Sequence, residues 1–311
     1  MERVVSLVSK LLAQRKMNVI KNCNFGAMKH KTMLKTLLIM LIMAQAVAAG
    51  AENILQHIYK TEYSEAFAKI SSLAQGDSSA CVLKGIAFVS RFDDLGDTLD
   101  LDSALFFLEK CKAGHFWEPL RRYEIGLVNS ILGNTIKSIR ETREAALIFE
   151  ARADLDSKAF YAIYGYYAGI LTSWIPFVES KREVYLADLK KGFKESKLFS
   201  PVFGNTLIWM LYDNKKYASA LDIANSLLEH YPNHPVILQT QADMLLKMGK
   251  AQEAIHIYKQ SENLYAKRSP NSIRYWCAVA NLAKMTNEPI WKEKLQSREY
   301  RLIKHWMPDG F

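Results

Sequence analysis

Proline and glycine are scarce in this chain, 8 and 14 residues of 311. No Ser/Gly linker or low-complexity tract interrupts it and half of its residues are apolar, which excludes a disordered chain. β-Branched residues do not alternate with polar ones in runs of period two, which sets aside strand-built classes. Also missing are G-x-G-x-x-G, a P-loop, H-E-x-x-H and G-x-S-x-G, the local signatures of nucleotide, zinc and acyl-transfer chemistry. No enzymatic activity and no cofactor are therefore expected. What is left is a chain that reads as helical throughout.

Positive charge is concentrated at one end. Residues 1–51 hold Arg3, Lys10, Arg15, Lys16, Lys21, Lys29, Lys31 and Lys35 against the single acid Glu2, leaving +2 of the formal +9 for residues 52–311. Binding to a phosphate backbone requires clustered Lys and Arg, so no nucleic-acid partner is expected.

Long apolar runs are absent as well. The run from Leu37 to Ala49, interrupted only by Gln45, falls far short of the roughly 20 residues that a membrane-spanning helix needs. Lys29, His30, Lys31 and Lys35 precede it. Small residues follow in two A-x-A settings, Ala46-Val47-Ala48 and Ala49-Gly50-Ala51. This is the pattern of a secretory signal peptide, with removal expected after Ala48 or Ala51. Residues 1–27 are long for the charged region of such a signal, and Met28 or Met33 would each serve better as first residue. The expected organisation is an N-terminal extension and signal peptide over 1–51 and a helical repeat domain over 52–311. The expected location is the periplasm or the medium of a bacterial cell. Membrane contact is then confined to export or to an uncleaved signal segment.

The stretch "YASALDIANSLLEHYPNHP" (217–235) matches "AQEAIHIYKQSENLYAKRS" (251–269) at an offset of 34 residues, with Ala220 on Ala254 and Leu221 on Ile255. Small residues stand where two helices would touch, Ala242 and Ala254, with Gly249 between them and Pro232 after the preceding helix. This resembles the tetratricopeptide repeat (TPR), a 34-residue pair of antiparallel helices. The best-defined repeats are 201–234 and 235–268. Gly85 with Ala104, Gly126 with Ser138, and Gly165 with Ala187 fit the same template, although Asp93–Asp100 adds about five residues to one turn. A last helix is expected from about Pro289 to Lys304. Ser200-Pro201 and Ser269-Pro270 read as capping hydroxyls before a first-turn proline. The resemblance implies an all-α fold, a TPR-like α–α superhelix in which six to seven hairpins form a right-handed solenoid.

Three constellations invite a chemical reading. His230 and His234 are four apart, but Pro232 between them ends the helix that would align them, so no metal is expected there. Asp93, Asp94, Asp97, Asp100 and Asp102 lack the spacing and the closing glutamate of a calcium loop, and Asp100 or Asp102 reads more simply as a helix N-cap. The aromatic helix 157–174 carries Phe160, Tyr161, Tyr164, Tyr166, Tyr167 and Trp174, apolar on more than one side. It reads as core, or as the wall of a small-ligand or lipid site.

In TPR proteins the concave surface comes from the first helix of each pair. The resemblance maps that surface to Asn205, Trp209 and Tyr212, then Gln239, Asp243 and Lys247, then Arg274, Asn281 and Lys284. Trp209 stands in an asparagine position of the clamp by which some relatives hold a terminal carboxylate. The function implied is a non-catalytic scaffold that binds a protein or peptide. The same template brings Cys81 and Cys111 near the outer limit for a disulfide, roughly 7 Å between Cα atoms. Cys277 would be left unpaired.

Overall fold

The computed structural model describes residues 50–73, 77–171, 181–270, 272–297 and 300. From Ala51 onward these form one compact unit. The leader-like stretch up to Ala49 and Trp174 lie outside the described residues. Among the described residues every regular element is a helix. Seven hairpins follow one another. They are α1 (residues 50–59) with α2 (Tyr63–Ser71), α3 (Ala80–Leu95) with α4 (Leu99–Lys110), and α5 (Glu118–Ile131) with α6 (Thr135–Glu150). Then come α7 (Leu155–Leu171) with α8 (Arg182–Glu195) and α9 (Ser200–Asp213) with α10 (Tyr217–His230). The last two are α11 (Pro235–Lys247) with α12 (Ala251–Arg268) and α13 (Ile273–Met285) with α14 (Pro289–Lys294). Each hairpin packs on the next.

Four hairpin turns close in the same way. Gly249 takes a left-handed conformation (φ 77°), its N–H bonds Leu246 O, and the Lys250 N–H reaches back to Leu245 O at 2.9 Å. This satisfies carbonyls that the helix end would otherwise leave open. Gly133 with Asn134, Lys215 with Lys216 and Thr61 with Glu62 repeat the pattern, Lys215 standing 34 residues before Gly249. Inside the hairpins, small residues let backbones approach. Ala220, Ala224, Ala242 and Ala254 have no exposed surface.

Local expectations need four corrections. The extra residues after Arg91 lengthen α3 rather than its loop, up to Leu95, where left-handed Gly96 (φ 80°) ends the helix against the Ile273 side chain. Neither Asp100 nor Asp102 caps α4, whose N-cap position is Thr98; the Asp97 carboxylate accepts from the Leu99 N–H instead, and buried Asp100 accepts from both Nε and Nη2 of Arg91. Ser200 and Ser269 are not capping acceptors. The Ser200 hydroxyl donates to Phe193 O, and the cap of α13 is Ser272, which accepts from the Tyr275 N–H at 3.1 Å. The helix that begins at Pro289 ends at Lys294, where Gln296 and Ser297 make tight three-residue bonds back to Glu293 and Lys294. Residues 301–311 lie outside the described residues.

The stack also touches itself. Tyr59 of α1 donates to Leu198 O, Tyr231 donates to Gln56, and Arg268 donates to Thr61 O, pairs separated by 139, 175 and 207 residues. Arg274 at the start of α13 holds Asp93 at the end of α3 at 2.6 Å. The first two hairpins are thereby joined to the last three.

Candidate binding face

The first helices of the fifth to seventh hairpins are α9, α11 and α13. Asn205, Trp209 and Tyr212 follow at i, i+4, i+7 and so share one face of α9. Trp209 and Tyr212 meet edge to face with centroids 5.7 Å apart, and Tyr212 continues to Tyr217 at 5.4 Å. From the neighbouring α11, Lys247 places its ammonium 5.7 Å from the Tyr212 ring centroid. The Tyr212 hydroxyl beside it favours the charged form and raises the Lys247 pKa. All three aromatic rings are half-buried, and Lys247 is exposed. Among the described residues, one polar atom here has no partner: Asn205 Oδ1 is buried without a hydrogen bond.

Gln239, Arg274 and Asp243 are engaged elsewhere. Gln239 is buried and donates to Arg274 O at 2.6 Å, while the Arg274 side chain is turned to Asp93. Asp243 accepts from the Tyr258 hydroxyl. Burial raises its pKa against that bond and against the positive charges of Arg274 and Lys247. Asn281 is half-buried and Lys284 exposed, both on α13. Of the nine positions, Trp209, Tyr212 and Lys247 form one cluster and Gln239 with Arg274 another.

The acidic run takes part in closing the stack. Asp94 is 1% exposed, accepts from Tyr265 and lies 2.7 Å from the Arg268 guanidinium. Burial raises its pKa, outweighing the lowering by Arg268 and Tyr265. Sequence reasoning missed these partners; the only signal was the extra length of "DDLGDTLD" and its charge. His230 ends α10 while His234 caps α11 through its ring, so the two imidazoles belong to different helices. Among the described residues no group of three or more His, Cys, Asp or Glu side chains is placed to hold a metal ion.

Much of the aromatic helix α7 packs into the core. Phe160 lies within 4.9–5.1 Å of the rings of Phe149, Phe199 and Phe203, and buried Tyr166 donates to Met210 O. Tyr161 bonds Glu150, and Tyr167 is 40% exposed. Three clefts of about 400, 370 and 630 Å³ open along α8, α9, α10, α11 and α12, and none is lined by α7. Cys81 and Cys111 sit at the N-terminus of α3 and the end of α4 as a disulfide pair, with Cα atoms 5.9 Å apart.

No protein-family model matches the chain, and no curated protein is similar to it in sequence. Solved structures similar to it include PilW, a type IV pilus biogenesis factor (14% identity, TM-score 0.45, covering 74% of this chain and all of that one). Another is a Rap protein complexed with Competence and Sporulation Factor (15%, 0.49, covering 84% and 76%). A third is a tetratricopeptide repeat protein from Parabacteroides merdae (14%, 0.33, covering 81% and 98%). Such values are too low to transfer a function, so the assignment rests on the stacked hairpins and their shared turn closures. The fold is a TPR-like α–α superhelix.

Proposed function

We propose that this protein is an exported, non-catalytic scaffold of a bacterial envelope, with 1–51 as extension and signal peptide and 52–311 as the binding domain. It takes a protein or peptide segment against the first-helix face at Trp209, Tyr212 and Lys247. The observation that carries this reading is the half-exposed ladder Trp209–Tyr212–Tyr217 with a cation at its end. Half-buried aromatic rings are the side chains that interfaces use as anchors. Export is supported by the short apolar run with its flanks and by Cys81 facing Cys111, since disulfides persist in oxidising compartments.

A small-ligand or lipid site on α7 is the weaker reading, because its rings are occupied by one another and by their neighbours. The test is fractionation of the producing cell, followed by capture from the fraction that holds the protein with wild type and with Trp209→Ala/Tyr212→Ala as bait. A polypeptide retained by wild type and lost by the variant is expected. Recovery only in the cytosol contradicts the export half of the proposal. Identical capture by both baits contradicts the binding half.

A further inference from the structure

Ala51, Ile54, Leu55 and Ile58 of α1 follow at i, i+3, i+4, i+7 and are each no more than 2% exposed. They belong to the same buried cluster as Phe160, Phe199 and Phe203. The buried stripe therefore starts at Ala51, which has consequences for the two A-x-A settings. One scissile bond, Ala48–Ala49, precedes the stripe. The other, Ala51–Glu52, falls inside it.

We propose that the leader is removed at Ala48–Ala49 and that the accumulating exported chain begins at Ala49. This rests on the reading of the protein as exported. The step is a hydrolysis by a protease that reads small residues one and three positions before the bond. Water supplies a hydroxyl to the Ala48 carbonyl carbon and a proton to the Ala49 nitrogen, and nothing is oxidised or reduced. Cutting at the second bond would take the Ala51 methyl out of the core. It would also remove the carbonyls of Gly50 and Ala51, to which the N–H groups of Ile54 and Leu55 point in an α-helix. The new ammonium would then sit on Glu52 at the positive end of the helix macrodipole, where a cation is unfavourable. Cutting at the first bond leaves Gly50, Ala51 and the whole buried stripe in the chain.

N-terminal sequencing and intact mass of the exported product of the full chain test this. Wild type is expected to begin with Ala49. Ala48→Arg blocks the position before the first bond. That variant is expected to stay uncleaved, or to yield a chain beginning at Glu52 that melts below wild type. A wild-type product beginning at Glu52, or a Glu52 chain that melts with wild type, would overturn the inference while leaving export intact. A wild-type chain recovered with its leader uncut would overturn the export reading itself.

Discussion

Tyr265 donates its phenolic proton to the Asp94 carboxylate at 2.8 Å, although the two residues are 171 apart in sequence. A repeat array in which each unit touches only its neighbours has no such bond. Here the second hairpin is tied to the sixth, and the Arg268 guanidinium 2.7 Å from Asp94 completes the pair. Removing the carboxylate strips two partners at once. Asp94→Ala is expected to lower stability by about 3 kcal/mol, as breaking a buried ion pair does, and Tyr265→Phe by about 1 kcal/mol. Urea midpoints measure both. Unchanged midpoints would mean that the stack does not close in solution.

The small residues between paired helices set a second expectation. Ala254 has no exposed surface, so Ala254→Leu forces methylenes into a filled contact at about 1–3 kcal/mol. Gly126→Ala is more discriminating. In an exposed helix that change gains about 1 kcal/mol. At Gly126 the new methyl would stand 2.4 Å from Thr142 Cγ2 and 3.1 Å from the Thr142 backbone nitrogen, which cannot rotate away. Thermal melts are expected to show a net loss, and a gain would show that α5 and α6 do not approach so closely.

Two buried groups tilt stability with pH in opposite senses. Burial pushes Glu124 up from 4.5 to about 7. The folded chain then holds that proton more tightly than the unfolded one, so the stability linked to it is complete below about pH 4.5 and is lost as pH rises through 7. Burial and then the charge of Arg268 push His234 down from 6.5 to about 4. Its Nδ1 accepts from the Ile237 N–H and must stay unprotonated, so this contribution is present above pH 6.5 and is lost as pH falls toward 4. Glu124→Gln is expected to match wild type near pH 4 and to exceed it at pH 8 by up to about 3 kcal/mol. Urea unfolding at the two pH values decides it; a pH-independent difference would contradict the burial of this carboxyl.

Much of this fold is legible in the sequence because helix pairing is local. The 34-residue offset between Ala220 and Ala254, and Gly249 at a left-handed turn, follow from contacts within one hairpin or with the next. Lys215 hides the same turn, since nothing in a lysine announces a positive φ (59° here). The closing contacts are illegible for a different reason. Which acid meets Arg274 or Arg268 depends on how far the stack curves over five hairpins, a sum of small rotations that no local pattern encodes. For that reason Arg274 and Gln239, placed on the concave face by the repeat register, turn out to hold the edge together. Trp209 and Tyr212 meet neighbours only from α9 itself and the adjacent α10 and α11, contacts of the local kind that a repeat register can anticipate.

The cysteines give a chemical count. Bonding of Cys81 to Cys111 closes a segment of 30 residues and contributes about 3 kcal/mol by restricting the unfolded chain. Cys277 is buried, and burial pushes its thiol up to about 11, so it reacts only after unfolding. Thiol titration of the denatured, unreduced exported chain is expected to find one free thiol. Three would mean that the pair is reduced, and with it the support for an oxidising compartment would fall.

Binding at the aromatic ladder is the central claim, and an affinity measured on the captured partner tests it most directly. Titration of that partner into wild type and into Trp209→Ala, with circular dichroism and melting point held as controls, is expected to show a loss of at least about 2 kcal/mol, roughly 30-fold in Kd. Equal affinity for the two proteins, both folded, would place the partner surface elsewhere on the superhelix.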